Sequence, residues 1–247
     1  MMRIMEPTST IRVNRRGVNR GGLAVKLLIW DIDGTLTYTP GVGRRAMEVA
    51  FEEKFGIRDA LEGIDMAGGL DVEIVRQAFE RHGLPEERRG EYFAHYVQVL
   101  DRMLAAPHPG GPTPGIVEAL DTLSGRQDVV QVLGTGNIEA GAWIKLRRHG
   151  LDGYFRTGGF GDEPVPRWKV IQAAIDRARD HHGLGSLPAD DIYVIGDTPR
   201  DIEAGRHLGV QTVSVATGPF TAEQLAAHRP DHLLPSFEAP WKQVFFG

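Results

Sequence analysis

Apolar positions follow two rhythms along this chain. Leu27-Leu28-Ile29-Trp30 is continuous, meets Asp31, and stops at a Gly34-Thr35 turn. Such a run bounded by a turn signal predicts a strand buried on both faces. Val129-Val130-Gln131-Val132-Leu133, Asp191-Ile192-Tyr193-Val194-Ile195 and Val210 to Val215 follow the same rule and predict three more strands. Between them the rhythm is helical. Arg44 to Phe55 places Ala46, Met47, Val49, Ala50 and Phe51 at helical spacing, and Ile74, Val75, Ala78 and Phe79 repeat it, with Asp71 as the expected N-cap. A third helix is predicted after Pro85, running to about Leu104. Further helices are predicted over 116–123, 139–149, 167–181 (through Val170, Ile171, Ala174, Ile175 and Ala178) and 202–208. Two short ones are expected at Thr221 to Ala227 and Phe237 to Phe246.

Strands alternating with helices of this length predict an α/β fold, a doubly wound, mostly parallel sheet of Rossmann-like form. The block 44–104 carries no strand signal. It interrupts the alternation after the first strand, and the stiff stretch Pro107-His108-Pro109-Gly110-Gly111-Pro112-Thr113-Pro114-Gly115 follows it. The expected organisation is a core from residues 25–40 and 108–247, with an inserted all-helical domain at 41–107.

Charge and composition narrow the setting. The 247 residues carry a net charge of −5. Residues 1–24 hold five Arg against one Glu, which leaves the remainder at −9. An acidic body argues against nucleic acid as a partner. The basic head has no apolar core and is expected to be a disordered tail. No apolar run approaches the roughly 18 residues of a membrane span. Cysteine is absent, which excludes disulfides and thiolate-ligated metals; the expected location is cytoplasmic.

Three predicted strands end in polar clusters: Asp31 and Asp33, Thr135-Gly136-Asn137, and Asp197 with Asp201. Parallel strands bring all three to one edge, where open α/β sheets bind ligands. Asp31 and Asp33 lie two residues apart and so point to the same side of an extended segment. Singly, each cluster is also what a turn or helix cap requires. Asp201 in particular fits a cap in Thr198-Pro199-Arg200-Asp201. Asp197 does not, and three or four carboxylates at one mouth repel unless a cation sits among them. All-oxygen ligation favours Mg²⁺ over Zn²⁺. Thr135 and Gly136, at a helix start, form a ready anion site. Lys169 lies early in a helix, against the helix dipole, which hints at a further reason for its place.

Asp31-Ile32-Asp33-Gly34-Thr35-Leu36, then Thr135, Lys169 and Gly196-Asp197-Thr198-Pro199-Arg200-Asp201 resemble the four ordered motifs of the haloacid dehalogenase-like (HAD) superfamily. The likeness spans residues 26 to about 235. The helical insert is similar to the C1 cap of phosphoglycolate phosphatase-like members, and the Thr135-Gly136-Asn137 variant looks like theirs. The resemblance implies Asp31 as nucleophile and Asp33 as general acid and base. It implies Thr135, Gly136, Asn137, Lys169 and Gly34 around the phosphoryl group, with Lys169 as a catalytic cation neutralising charge between the phosphate and Asp31. It also implies Mg²⁺ held by Asp31, the Asp33 carbonyl, Asp197 and Asp201. The family's cap loop reads Gly-x-Thr-Asp; here Gly68-Gly69-Leu70-Asp71 lacks the Thr.

The expected activity is therefore hydrolysis of a small phosphate monoester through an aspartyl-phosphate. A phosphomutase of the β-phosphoglucomutase type keeps both Asp residues and stays open. A non-catalytic binding module of the same fold is the reading from another class, and the complete acid set argues against it. Substrate identity and oligomeric state, monomer or homodimer, are left open.

Overall fold

The computed structural model of the chain describes residues 24–247. The expected basic tail lies outside the described residues except for Ala24. The first predicted strand is β1 (Lys26–Trp30). It is followed by β2 (Thr37–Tyr38), α1 (Val42–Phe55), α2 (Asp71–Arg81), α3 (Arg89–Ala105) and β3 (Gly111–Pro112). Alternation then begins with α4 (Ile116–Ser124), β4 (Val129–Gly134), α5 (Glu139–Arg148), β5 (Gly158–Gly159) and α6 (Arg167–His182). It ends with β6 (Ile192–Gly196), α7 (Pro199–Leu208), β7 (Gln211–Val215), α8 (Ala222–Ala227), β8 (His232–Leu234) and α9 (Lys242–Phe246).

Six strands form one parallel sheet in the order β5-β4-β1-β6-β7-β8. β1 is central, and its side chains alternate between two cores. Leu28 and Trp30 pack with Leu120, Leu133, Tyr193, Phe237, Trp241 and Phe245 on one face. Leu27 and Ile29 pack with Val132, Ile171, Ala174, Ile192 and Val194 on the other. Burial on both faces is why this strand reads as an unbroken apolar run.

Helices α1, α2 and α3 build a separate apolar cluster around Phe51, Phe79, Tyr92 and Tyr96. The chain leaves and re-enters the sheet region through the antiparallel pair β2 and β3. Ile138 and Ile144 at α5 and Val170 of α6 join the helical cluster, so α5 is covered by it on one side and by the sheet on the other.

Three details differ from the sequence reading. β2, β3, β5 and β8 lie beyond the predicted strands: the first three are two residues each, too short to carry a side-chain pattern, and β8 is a three-residue edge. The terminal helix covers only Lys242–Phe246, because Pro240 has no backbone N–H and turns at Ser236 to Trp241 precede it. The N-cap of α2 is Leu70, and Asp71 is the first helical residue. Its carboxylate is engaged elsewhere.

Candidate active site

Strand register sets the geometry. Trp30 pairs with Leu133 on one side and with Ile195 on the other. The chain just beyond these three residues therefore carries Asp31, Thr135 and Asp197 to one edge. The Asp31 N–H donates to the Ile195 carbonyl at 2.9 Å, extending the pairing to the acid itself. After it, the N–H groups of Leu36 and Thr37 converge on the Ile32 carbonyl, and Gly34 turns at φ +82°.

One carboxylate oxygen from each of Asp31, Asp197 and Asp201 falls within 4.8 Å of the others, and all three residues are buried. Asp197 Oδ1 accepts from Thr35 Oγ1 at 3.1 Å, whereas Oδ2 is buried without a hydrogen-bond partner. Backbone crowds that orphaned oxygen: a Cβ at Gly34 would lie 2.2 Å from it and one at Gly218 1.7 Å. Burial, with the charges of Asp31 and Asp201, pushes the Asp197 carboxyl well above the usual carboxylate range. Burial likewise raises Asp31 to about 6 despite the facing charge of Arg167. An unpartnered oxygen in an all-oxygen cluster that resists ionisation on its own fits a hard divalent cation. Asp201 also does what its cap motif predicted. Its Oδ2 accepts from the Thr198 backbone N–H at 3.3 Å and from the Thr198 hydroxyl at 2.7 Å.

The cation that meets this cluster is Arg167, the first residue of α6. Its Nη2 lies 3.0 Å from Asp31, 2.7 Å from Asp201, and donates to the Gly134 carbonyl. Lys169, expected in this role, does not line the cavity; its ammonium lies 5.7 Å from the Trp168 ring centroid. Helix phase explains the difference. Arg167 lies three and four residues before Val170 and Ile171 and so shares their buried face, whereas Lys169 is rotated by about 200° from it. The dipole reasoning that singled out Lys169 applies with more force at the first residue.

Asp33 stands in a different environment. Its carboxylate is open to the cavity, with the side chain 45% exposed. Lys145 Nζ donates to both of its oxygens, at 2.8 and 2.6 Å, and to Asn137 Oδ1 at 2.6 Å. Asn137 Nδ2 donates to Asp33 Oδ2 at 2.7 Å and to Thr135 Oγ1 at 2.8 Å. Against desolvation, Lys145 and Asn137 hold Asp33 below its ordinary pKa. Lys145, buried on α5, was missed from sequence. It sits among Ala142, Ile144 and Leu146, a helix buried from two sides, where a lysine is out of place.

A cavity of about 410 Å³ joins these groups. Asp31, Asp33, Gly34, Thr135, Gly136, Asn137 and Asp197 all line it. The helical block roofs it with Arg44, Met47, Met66, Ile74 and Tyr96. The roof touches the floor at Gly68-Gly69-Leu70-Asp71. The Asp71 N–H donates to the Gly136 carbonyl at 2.8 Å, and Asp71 Oδ2 accepts from the Ile138 N–H at 3.0 Å. Burial pushes the Asp71 carboxyl up to about 7.

A buried strand-end aspartate, a carboxylate cluster and the Thr135-Gly136 turn under a helical roof match the haloacid dehalogenase-like hydrolases that the sequence motifs resemble. The chain belongs to that family, whose profile matches residues 25–209. Within it, the chain is similar to phosphatases. A phosphoglycolate phosphatase of Synechococcus elongatus is 30% identical over 85% of this chain and 92% of its own. "Probable phosphatase IndB" of Dickeya dadantii is 27% identical over 85% of this chain and 90% of its own. Among solved structures, CbbY from Rhodobacter sphaeroides in complex with phosphate superposes with a TM-score of 0.66 at 18% identity, covering 87% of this chain and 96% of that one. That likeness is one of fold. Among the described residues no helix is long and apolar enough to cross a membrane.

Proposed function

We propose that this chain is a Mg²⁺-dependent phosphatase of a small phosphorylated metabolite, acting through an aspartyl-phosphate on Asp31. One observation carries the reading. Asp31, Asp197 and Asp201 bring carboxylate oxygens within 4.8 Å of one another beside the cavity, one Asp197 oxygen is buried without a hydrogen-bond partner, and Asp33 lies two residues along the same strand extension.

The roles are those the family resemblance implies, and the positions of the side chains support them. An Asp31 carboxylate oxygen attacks phosphorus, the bond to the ester oxygen breaks, and Asp33, in the protonated form that must be reached against the pull of Lys145, delivers its proton to that leaving oxygen. Asp33 then takes a proton from water as the water attacks phosphorus and releases Asp31. Thr135, the Gly136 amide and Arg167 surround the phosphoryl oxygens, and Arg167 replaces Lys169 as the balancing charge. Mg²⁺, held by Asp31, Asp197 and the Asp33 carbonyl, with Asp201 beside it, would neutralise charge gathering on the phosphoryl group. Residues 41–107 form the cap and 25–40 with 108–247 the core. The roof contacts at Asp71 serve to exclude water. A cytoplasmic location fits the cysteine-free chain.

The test is phosphate release from a panel of phosphate monoesters by the purified chain, with Mg²⁺ and with EDTA. Turnover of one or more esters that EDTA abolishes and Mg²⁺ restores is expected. Undiminished activity in EDTA would remove the metal from the reading, and interconversion of phosphates without release would identify a phosphomutase.

A further inference from the structure

Lys145 is the feature of the cavity that the family motifs leave unassigned. Its side chain is 5% exposed, and it carries a charge into a helix face otherwise made of Gly141, Ala142, Ile144 and Leu146. An ammonium has three donors and no acceptor. Three acceptor oxygens stand within hydrogen-bond distance of Nζ: both oxygens of Asp33 and Oδ1 of Asn137. Its donor capacity is thus matched inside the protein. Arg167 differs. Its Nη2 serves Asp31, Asp201 and the Gly134 carbonyl, while Nη1 lies beside Gly136, 3.0 Å from where a Cβ there would stand. The two cations divide the site: one faces the phosphoryl-binding turn and the other is committed to Asp33.

Asp33 needs such a partner. It lies past the end of β1 on a turn, with an open carboxylate. Among the described residues its side-chain hydrogen bonds come from Lys145 and Asn137 alone. Asn137 is fixed in turn by Thr135 Oγ1, so Thr135, Asn137, Asp33 and Lys145 form one connected network. Gly43 of α1 lies over the ammonium, where a Cβ would stand 3.5 Å from Nζ.

We propose that Lys145 is a positioning residue, which with Asn137 fixes the Asp33 carboxylate in the orientation from which it exchanges protons, and that it does not bind the phosphoryl group. The inference rests on the phosphatase reading, since it assigns Asp33 the proton transfers. A misaligned proton donor slows the chemical step and leaves ground-state binding intact.

The experiment compares K145M, K145R, D33N and D33N/K145M with the wild type on p-nitrophenyl phosphate with Mg²⁺. K145M is expected to lower kcat by about 100-fold, the scale of general acid–base catalysis. Its KM and its inhibition constant for inorganic phosphate stay within about threefold, as for a group that spares ground-state binding. K145R recovers part of kcat, and D33N/K145M is no slower than D33N, because residues acting as a unit are non-additive. A KM or phosphate inhibition constant that rises while kcat holds, or losses that multiply in the double variant, would overturn the proposal. Thermal midpoints of the wild type, K145M, D33N and D33N/K145M form a second cycle that needs no substrate. Midpoint coupling without phosphate release by the wild type would refute the phosphatase reading and this role with it. Release by the wild type with additive losses would refute the role of Lys145 alone.

Discussion

Two carboxylates two residues apart, Asp31 and Asp33, occupy opposite electrostatic settings. Asp33 has a lysine on both oxygens and an amide beside it, and its carboxyl is held below the ordinary value. Asp31 shares one arginine with Asp201 in a buried cluster, and its carboxyl rises to about 6. The protein has completed the first setting with its own side chains. In the second, three acids face one guanidinium and an oxygen stays unpaired. The difference teaches where the protein relies on its own charges and where it is built to receive another. A buried charge deficit of this kind is costly as a structural device alone.

The sharpest way to break the comparison is Asp31→Asn. It keeps the shape and removes the nucleophile, and phosphate release should fall more than about 1,000-fold while the thermal midpoint holds or rises. Arg167→Met comes next. It leaves Asp31 and Asp201 buried with no cation, which should cost about 3–5 kcal/mol of stability. It should also cost about 100-fold in kcat. Mg²⁺ should raise its melting temperature more than that of the wild type, and a calorimetric scan in each condition checks this.

Asp71→Asn is a smaller perturbation, read through pH. The folded carboxyl titrates near 7, above the ordinary 3.8. Its contribution to stability is therefore fully present below about pH 4 and is lost as pH rises through 7. Asparagine keeps an acceptor for the Ile138 N–H and cannot ionise. Relative to the wild type, the variant should gain a few degrees of melting temperature between pH 5.5 and pH 8, on the scale of about 2–4 °C per kcal/mol. A constant gap would place the ionisation elsewhere. Smallest of all is Lys169→Ala, which should change kcat/KM by less than about twofold, as for a surface side chain. A large loss would return to Lys169 the role that Arg167 occupies.

Much of this was legible in the residues. The apolar runs marked β1, β4, β6 and β7, and their polar ends marked Asp31, Asp33, Thr135 and Asp197. Those signals are local, since a strand buried on both faces must be apolar and must stop where the polar edge begins. What sequence hid depends on rotation and on neighbours. Arg167 and Lys169 stand two apart, and only the helix phase separates the buried cation from the surface one. Lys145 carries no local signal of its role, because α5 is buried only by the helical block and the sheet acting together. Asp71 was read as a local cap because a carboxylate at a helix start usually serves its own helix. Here it reaches the start of another.

The row of strand ends has a consequence for how activity reports on folding. Thr35 and Asp197 are bonded across 162 positions of chain, and Asp33 and Lys145 across 112. No contiguous fragment of either half contains the site. It exists only once β1 has closed between β4 and β6, a pairing with high contact order and hence among the slower events of folding. Recovery of phosphate release during refolding should therefore lag behind the return of helical signal. The site serves as a reporter of long-range closure in the chain.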